Sequence, residues 1–109
     1  VNVVRQCDVI SILIPDKTIP SVYSKLILPN LTSGQTLLFS HGYNIHYKTI
    51  DVPDDINVVM VAPSGGGNLV RNEYKKGGGV PSLLAVHQDV TGDLLSVECD
   101  GDRRVCCQC

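Results

Sequence analysis

This sequence is poor in the residues that a nucleic-acid surface needs. It has no tryptophan, one phenylalanine and four tyrosines in 109 residues, and its nine Lys and Arg are outnumbered by eleven Asp and Glu, for a formal charge of −2. A basic groove lined with stacking side chains is excluded, so nucleic acid is not an expected partner. No apolar run approaches the roughly 20 residues that cross a bilayer, and the opening Val1 to Arg5 lacks the layout of a signal peptide. A membrane partner is therefore not expected, and the chain reads as cytoplasmic. Also missing is any G-x-G-x-x-G after a first strand, the usual fingerprint of dinucleotide binding. At this length the chain is one domain or part of one, and a complete two-domain enzyme is excluded.

Cysteine is nearly absent from the body of the chain. Cys7 stands alone, whereas Cys99, Cys106, Cys107 and Cys109 crowd the last eleven residues. Four close thiols could bind zinc, but structural sites pair C-x₂₋₄-C knuckles across a longer loop, and Cys106, Cys107 and Cys109 offer only an adjacent pair and a C-x-C. In a reducing compartment disulfides are not expected either.

What is present is a regular series of short apolar runs: Asp8 to Ile14, Gln35 to Phe39, Asn57 to Ala62 and Ser82 to Val86. They are nearly continuous rather than alternating, the pattern of strands buried on both faces of a helix-covered parallel sheet. Between the first two, Ile19, Val22, Leu26 and Ile27 recur at helical spacing, and Pro20 fits an early turn. Between the last two, Asn68 to Lys76 predicts a shorter helix, with lysines at its C-terminal end and Gly77 as a stop. The glycine triplet Gly77 to Gly79 reads as that stop and a connector. The fold class is α/β: a partial Rossmann-like fold, mostly parallel sheet with flanking helices.

That order places four loops on one rim, after Ile14, Phe39, Ala62 and Val86. They are Pro15 to Thr18, Ser40 to Asn44, Pro63 to Asn68, and His87 to Asp89. The run Gly65 to Gly67, opening a helix, would let a phosphate or diphosphate approach backbone N–H groups. Among the histidines, His41 is the best candidate to handle a proton or orient a substrate, because imidazole donates or accepts near neutral pH. Asp16 and Asp89 lack acidic neighbours at i+3 or i+4, so no metal site is legible.

Together these stretches resemble one family. Asp8 to Asp16, Leu28 to Leu31, Phe39 to Tyr47, Val58 to Pro63, Asn68 to Arg71, Gly77 to Pro81, and Leu84 to Asp89 followed by Gly92 are similar to ketol-acid reductoisomerase, also called acetohydroxyacid isomeroreductase. The match runs from about Val3 to about Leu95 and covers the later part of that enzyme's NADPH-binding domain. The resemblance implies an oxidoreductase of valine, leucine and isoleucine synthesis that converts 2-acetolactate or 2-aceto-2-hydroxybutyrate with NADPH and Mg²⁺. It implies that His41 is the catalytic histidine and that Asp16, Lys17, Thr18, Ile19 and Gly67 contact the cofactor.

The departures also carry expectations. Where the family has Pro-Asp-Glu with a later Gln, this chain has Pro15-Asp16-Lys17-Thr18-Ile19. Where the family has a lysine, a proline and a histidine around its glycine loop, this chain has Pro63-Ser64-Gly65-Gly66-Gly67-Asn68. The Gly-rich first turn and the helical domain whose carboxylates hold both magnesium ions are not in the sequence. Residues 1–96 are thus expected to form part of the NADPH-binding domain, inactive as a fragment. Residues 97–109 read as a divergent Cys-rich tail, disordered or translated out of frame. A homo-oligomer or pairing with a separately encoded remainder is expected, and the alternative is a non-catalytic nucleotide-binding or interaction domain.

Overall fold

The computed structural model describes residues 2–92 and 105–108, with side chains described over residues 3–92. The sheet has five strands in the order β4-β3-β2-β1-β5, namely β1 (Val9–Ile12), β2 (Thr36–Phe39), β3 (Asn57–Pro63), β4 (Ser82–Gln88) and β5 (Val105–Gln108). Strands β1, β2 and β3 run parallel, with Val9 opposite Thr36 and Thr36 opposite Asn57. Side chains alternate across the sheet, so this register stacks Ile10, Leu37 and Val58 in one row on one face. That row is almost sealed from water, with exposures of 0 to 2%.

A short helix α1 (Asn2–Gln6), which the sequence did not announce, precedes β1 and buries Val4. Its end is closed by Gln35, whose Nε2 donates to the carbonyls of Val4 at 2.6 Å and Cys7 at 2.7 Å while its Oε1 accepts from Thr32 N at 2.7 Å. The predicted helix after β1 forms, but in three hydrogen-bonding modes. It begins as α2 (Ile19–Val22), widens into a π-helical turn over Tyr23–Ile27, and ends as a 3₁₀ turn over Leu28–Asn30. Pro29 explains the change, because proline has no N–H and its ring crowds the carbonyl four residues back, at Lys25. Leu28 N instead reaches the carbonyl of Tyr23. Ile19, Tyr23 and Ile27 pack onto the Ile10, Leu37 and Phe39 face to make the core.

β4 is the exception in the mostly parallel sheet, and it overturns the placement of all four loops on one rim. β4 pairs antiparallel with β3, Pro63 opposite Ser82 and Val59 opposite Val86. Its path follows from α4 (Gly67–Lys75), which leaves the rim and turns back sharply. Gly77 at φ 81° supplies the left-handed residue that ends the helix, with its N–H on Tyr74 O and that of Gly78 on Glu73 O. The connector then returns to the rim it left, where Ser64 N donates to Pro81 O at 2.8 Å. β4 was expected to be buried on both faces, yet nearly all of it is exposed, Leu83 to 64%. No described helix covers it.

Two further differences concern cysteine and the tail. Val105–Gln108, inside the segment read as lacking regular structure, forms β5 alongside β1, with Val105 opposite Val9. A parallel strand edge with unpaired N–H and C=O groups recruits such a partner. Cys7 is disulfide-bonded, against the expectation of free thiols. The other cysteines all lie in the tail, and β5 places two of them along the β1 edge, Cys106 opposite Ile10 and Cys107 opposite Ser11. The zinc reading of the tail rests on side chains outside the described ones. No described helix is long and apolar enough to cross a membrane.

Candidate functional site

The carboxyl ends of β1, β2 and β3 open into a cleft of about 1040 Å³. Parallel strands put these ends on one rim, and open α/β sheets bind ligands there. One wall is the end of β1 and the segment after it, Ile12 to Asp16, with Ile19 beneath it. The floor is Phe39, Ser40 and His41 at the end of β2. The far wall is Pro63 and Gly65 to Gly67, continuing along α4 through Val70, Arg71 and Tyr74. Of the residues singled out from the sequence, Asp16, Ile19, His41 and Gly67 line this cleft, and Lys17 and Thr18 do not. Lys17 is exposed, and Thr18 spends its backbone on turn bonds, its N–H on Pro15 O and its carbonyl on Val22 N.

The glycines keep the far wall low. A Cβ placed at Gly66 or Gly67 would meet nothing within 4 Å, so that stretch presents bare backbone to the cleft. Gly65 is different. A Cβ there would sit 2.6 Å from Leu69 Cδ2, so the loop and the first turn of α4 pack closely at that point.

His41 is exposed at the rim, and its imidazole makes no hydrogen bond among the described residues. The loop that carries it continues into α3 (Tyr43–His46), whose position is held by Asn44. Asn44 is fully buried. Its Nδ2 donates to the carbonyl of Asp16 at 3.2 Å, and its Oδ1 accepts a short hydrogen bond from Thr49 Oγ1. One buried amide thus locks the histidine loop to the Asp16 loop, so the two sides of the cleft are set relative to each other. Thr49 N closes the same turn on Asn44 O at 3.0 Å. Tyr43, His46 and Tyr47 cluster on the exposed side of α3, ring centroids 4.8 and 4.9 Å apart.

The sequence reading placed His87 to Asp89 on this rim, and the antiparallel course of β4 corrects that. Gln88 pairs with Val58 near the start of β3, at the far end of the sheet. There Gln88 Nε2 donates to the carbonyls of Pro53 and Ile56, and Asp89 Oδ1 accepts from Gly92 N, both structural roles. His87 instead lines a hollow of about 390 Å³ on the sheet face, together with His41 and His46. Among the described residues, no group of three or more His, Cys, Asp or Glu side chains is placed to hold a metal ion.

Sequence reasoning missed Arg71 and Tyr74 as cleft residues. A signal was present: they stand four and seven residues after Gly67, the spacing of one helix face.

Residues 1–99 match the family described as acetohydroxy acid isomeroreductase, NADPH-binding domain. The chain is 53% identical over 93 residues to a ketol-acid reductoisomerase (NADP(+)) of Methanocaldococcus jannaschii, which covers 85% of this chain and 28% of that protein. Among solved structures it is similar to an NADH-preferring ketol-acid reductoisomerase from an uncultured archaeon, with a TM-score of 0.81 and 44% identity over 83% of this chain and 27% of the other. An NAD-binding semialdehyde dehydrogenase protein from Cupriavidus necator shares the fold alone, at a TM-score of 0.66 and 15% identity over 93% of this chain and 42% of the other.

Proposed function

Because this chain belongs to the acetohydroxy acid isomeroreductase family and matches its NADPH-binding domain, we propose that its cleft holds the reduced dinucleotide of a ketol-acid reductoisomerase. The reaction is conversion of 2-acetolactate to 2,3-dihydroxyisovalerate, with 2-aceto-2-hydroxybutyrate as the alternative substrate. The observation that carries this reading is the convergence of Asp16, His41 and bare Gly66–Gly67 backbone on one cleft at the carboxyl ends of three parallel strands. The cleft is large enough for a dinucleotide half or more, at the upper end of small-molecule sites.

Bound NADPH supplies a hydride. The chain supplies the rest of what it can at this end. The buried wall of Ile12, Ile19 and Phe39 excludes water from one side, and Asn44 fixes the distance between the Asp16 loop and the histidine. His41, whose ring nitrogens make no hydrogen bond among the described residues, is placed to hold or move a proton at the substrate oxygen. Asp16, Ile19 and Gly67 are the proposed cofactor contacts of the cleft itself, and Lys17 and Thr18 do not line it.

Magnesium does not fit the residues described, since they contain no cluster able to ligate it. No step is derived through it. The chain spans 28% of the curated relative's length, so turnover is proposed for the assembled enzyme and not for these 109 residues by themselves. Substrates, a cytoplasmic location and pairing with the remaining domain belong to the same proposal.

The test is thermal unfolding with and without NADPH. A ligand at 100 times its Kd stabilises the native state by about 2.7 kcal/mol. A rise in Tm that grows with NADPH and is reduced by His41→Ala supports the reading. No shift at millimolar NADPH sinks it, and so would turnover of 2-acetolactate by the 109-residue chain alone for the claim of inactivity.

A further inference from the structure

We propose that Arg71, seated on the ring of Tyr74, is an anion-holding residue of the cleft and takes the phosphate oxygens of the bound dinucleotide. The inference rests on the reading of the cleft as a dinucleotide site. Among the described residues that line it, Arg71 is the one permanent cation and Asp16 the one carboxylate, and they stand on opposite walls. Among the described residues Arg71 has no carboxylate partner. The ion pair on the same helix is Lys76 with Glu73, at 3.0 Å, and no hydrogen bond to the Arg71 guanidinium occurs among the described residues.

What positions the guanidinium is aromatic. Its central carbon lies 5.7 Å from the centroid of the Tyr74 ring, inside the range of a cation–π contact. Residues three apart on a helix share a face, so α4 presents both along the wall that begins at the glycines. The contact draws on the charge of the guanidinium and consumes none of its five N–H donors. Those donors match two oxygens of a phosphate at once. An arginine held over a ring, with no acceptor among the described residues, on a cleft wall that faces Asp16 across a floor of Phe39, Ser40 and His41, is a donor set lacking its anion.

Neither residue holds the fold. α4 buries no residue, and Tyr74 is 69% exposed, so substitution there leaves the core intact. The experiment titrates NADPH into the wild-type chain and into Arg71→Gln, Arg71→Lys, Tyr74→Phe and Tyr74→Leu at low and high salt, with circular dichroism as the folding control.

Arg71→Gln is expected to weaken NADPH binding roughly tenfold, the cost of one charge-assisted hydrogen-bonded contact. It should also flatten the salt dependence of binding. Arg71→Lys should recover part of the loss. Tyr74→Leu should weaken binding by a few-fold, and Tyr74→Phe, which keeps the ring, should match wild type.

Equal NADPH affinity and equal salt dependence in wild type and Arg71→Gln overturns the proposal. So does weakening confined to 2-acetolactate, which would assign the arginine to the substrate carboxylate. Failure of the wild-type chain to bind NADPH at all would instead remove the dinucleotide reading and this inference with it.

Discussion

The two halves of the sheet are built to different standards. In the β1–β2–β3 half, Ile10, Leu37 and Ile27 are fully buried and the helical segment from Ile19 to Asn30 closes over them. In the α4–β4 half, the helix buries nothing, and Leu69, Tyr74, Leu83, Leu84 and Val86 face outward. The first half carries the buried core. The second is apolar in sequence and uncovered in structure, which is how a surface looks when its partner is another element. The cleft lies where they meet, with His41 and Asp16 on the closed half and Gly67 and Arg71 on the open one.

The largest expected effect separates the halves directly. Leu37→Ala should cost about 2–5 kcal/mol through lost burial and a cavity, whereas Leu84→Ala should cost under about 1 kcal/mol. Urea denaturation of both variants measures the contrast. Comparable costs would mean that β4 is covered in solution by something this structure does not contain.

Next in size is an alkaline limb from the closed half. Tyr23 is buried, and its hydroxyl donates to the Asp51 carbonyl at 2.9 Å. Burial, with the Asp51 carboxylate as a second cause, pushes its pKa up from 10.0 to about 12. The protonated form is the one folding favours, so this stabilisation is complete below pH 10 and is lost as pH rises from 10 to 12. The rise corresponds to about 2–3 kcal/mol, and Tyr23→Phe should remove the limb from a stability–pH curve.

Asn57 joins the halves. Its Oδ1 accepts from Val90 N at 2.7 Å and Thr91 N at 3.3 Å, and its Nδ2 donates to Thr36 Oγ1 and Thr91 Oγ1. Asn57→Ala should cost about 1–3 kcal/mol, because it removes the partner of the buried Thr36 hydroxyl and of the part-buried Val90 and Thr91 N–H groups. Hydrogen exchange should show the loss first at Val90, with Ile10 still protected. Smallest is Gly77→Ala, about 1 kcal/mol from the left-handed residue that ends α4, again by denaturation.

The closed half was legible because its signals are local and agree with one another. Three short apolar runs separated by one amphipathic segment and a polar loop predict parallel strands and a crossover, and the rim loops follow from strand direction. His41, Asp16 and Gly67 were found because polar and glycine residues at strand ends stand out from apolar neighbours. The open half misled because its apolar runs look the same as buried ones. Nothing local in Ser82 to Gln88 says that the strand returns antiparallel or stays exposed. That outcome depends on how long α4 is, on Gly77 turning the chain, and on the bond from Ser64 to Pro81. Asn44 was visible as a loop residue, but its bond to Asp16 spans 28 positions and has no sequence signature.

What the sequence determined by itself is the alphabet of the fold: which runs are strands, where the first crossover helix lies, and which loop carries the histidine. These depend on side-chain period and backbone preference, both set within a few residues. Only the tertiary structure decided the direction of β4, the disulfide at Cys7, the strand added at the β1 edge, and the arrival of Arg71 on the same cleft as His41. Each is a meeting of distant segments, and such meetings are selected by the packing and hydrogen-bond satisfaction of the whole chain.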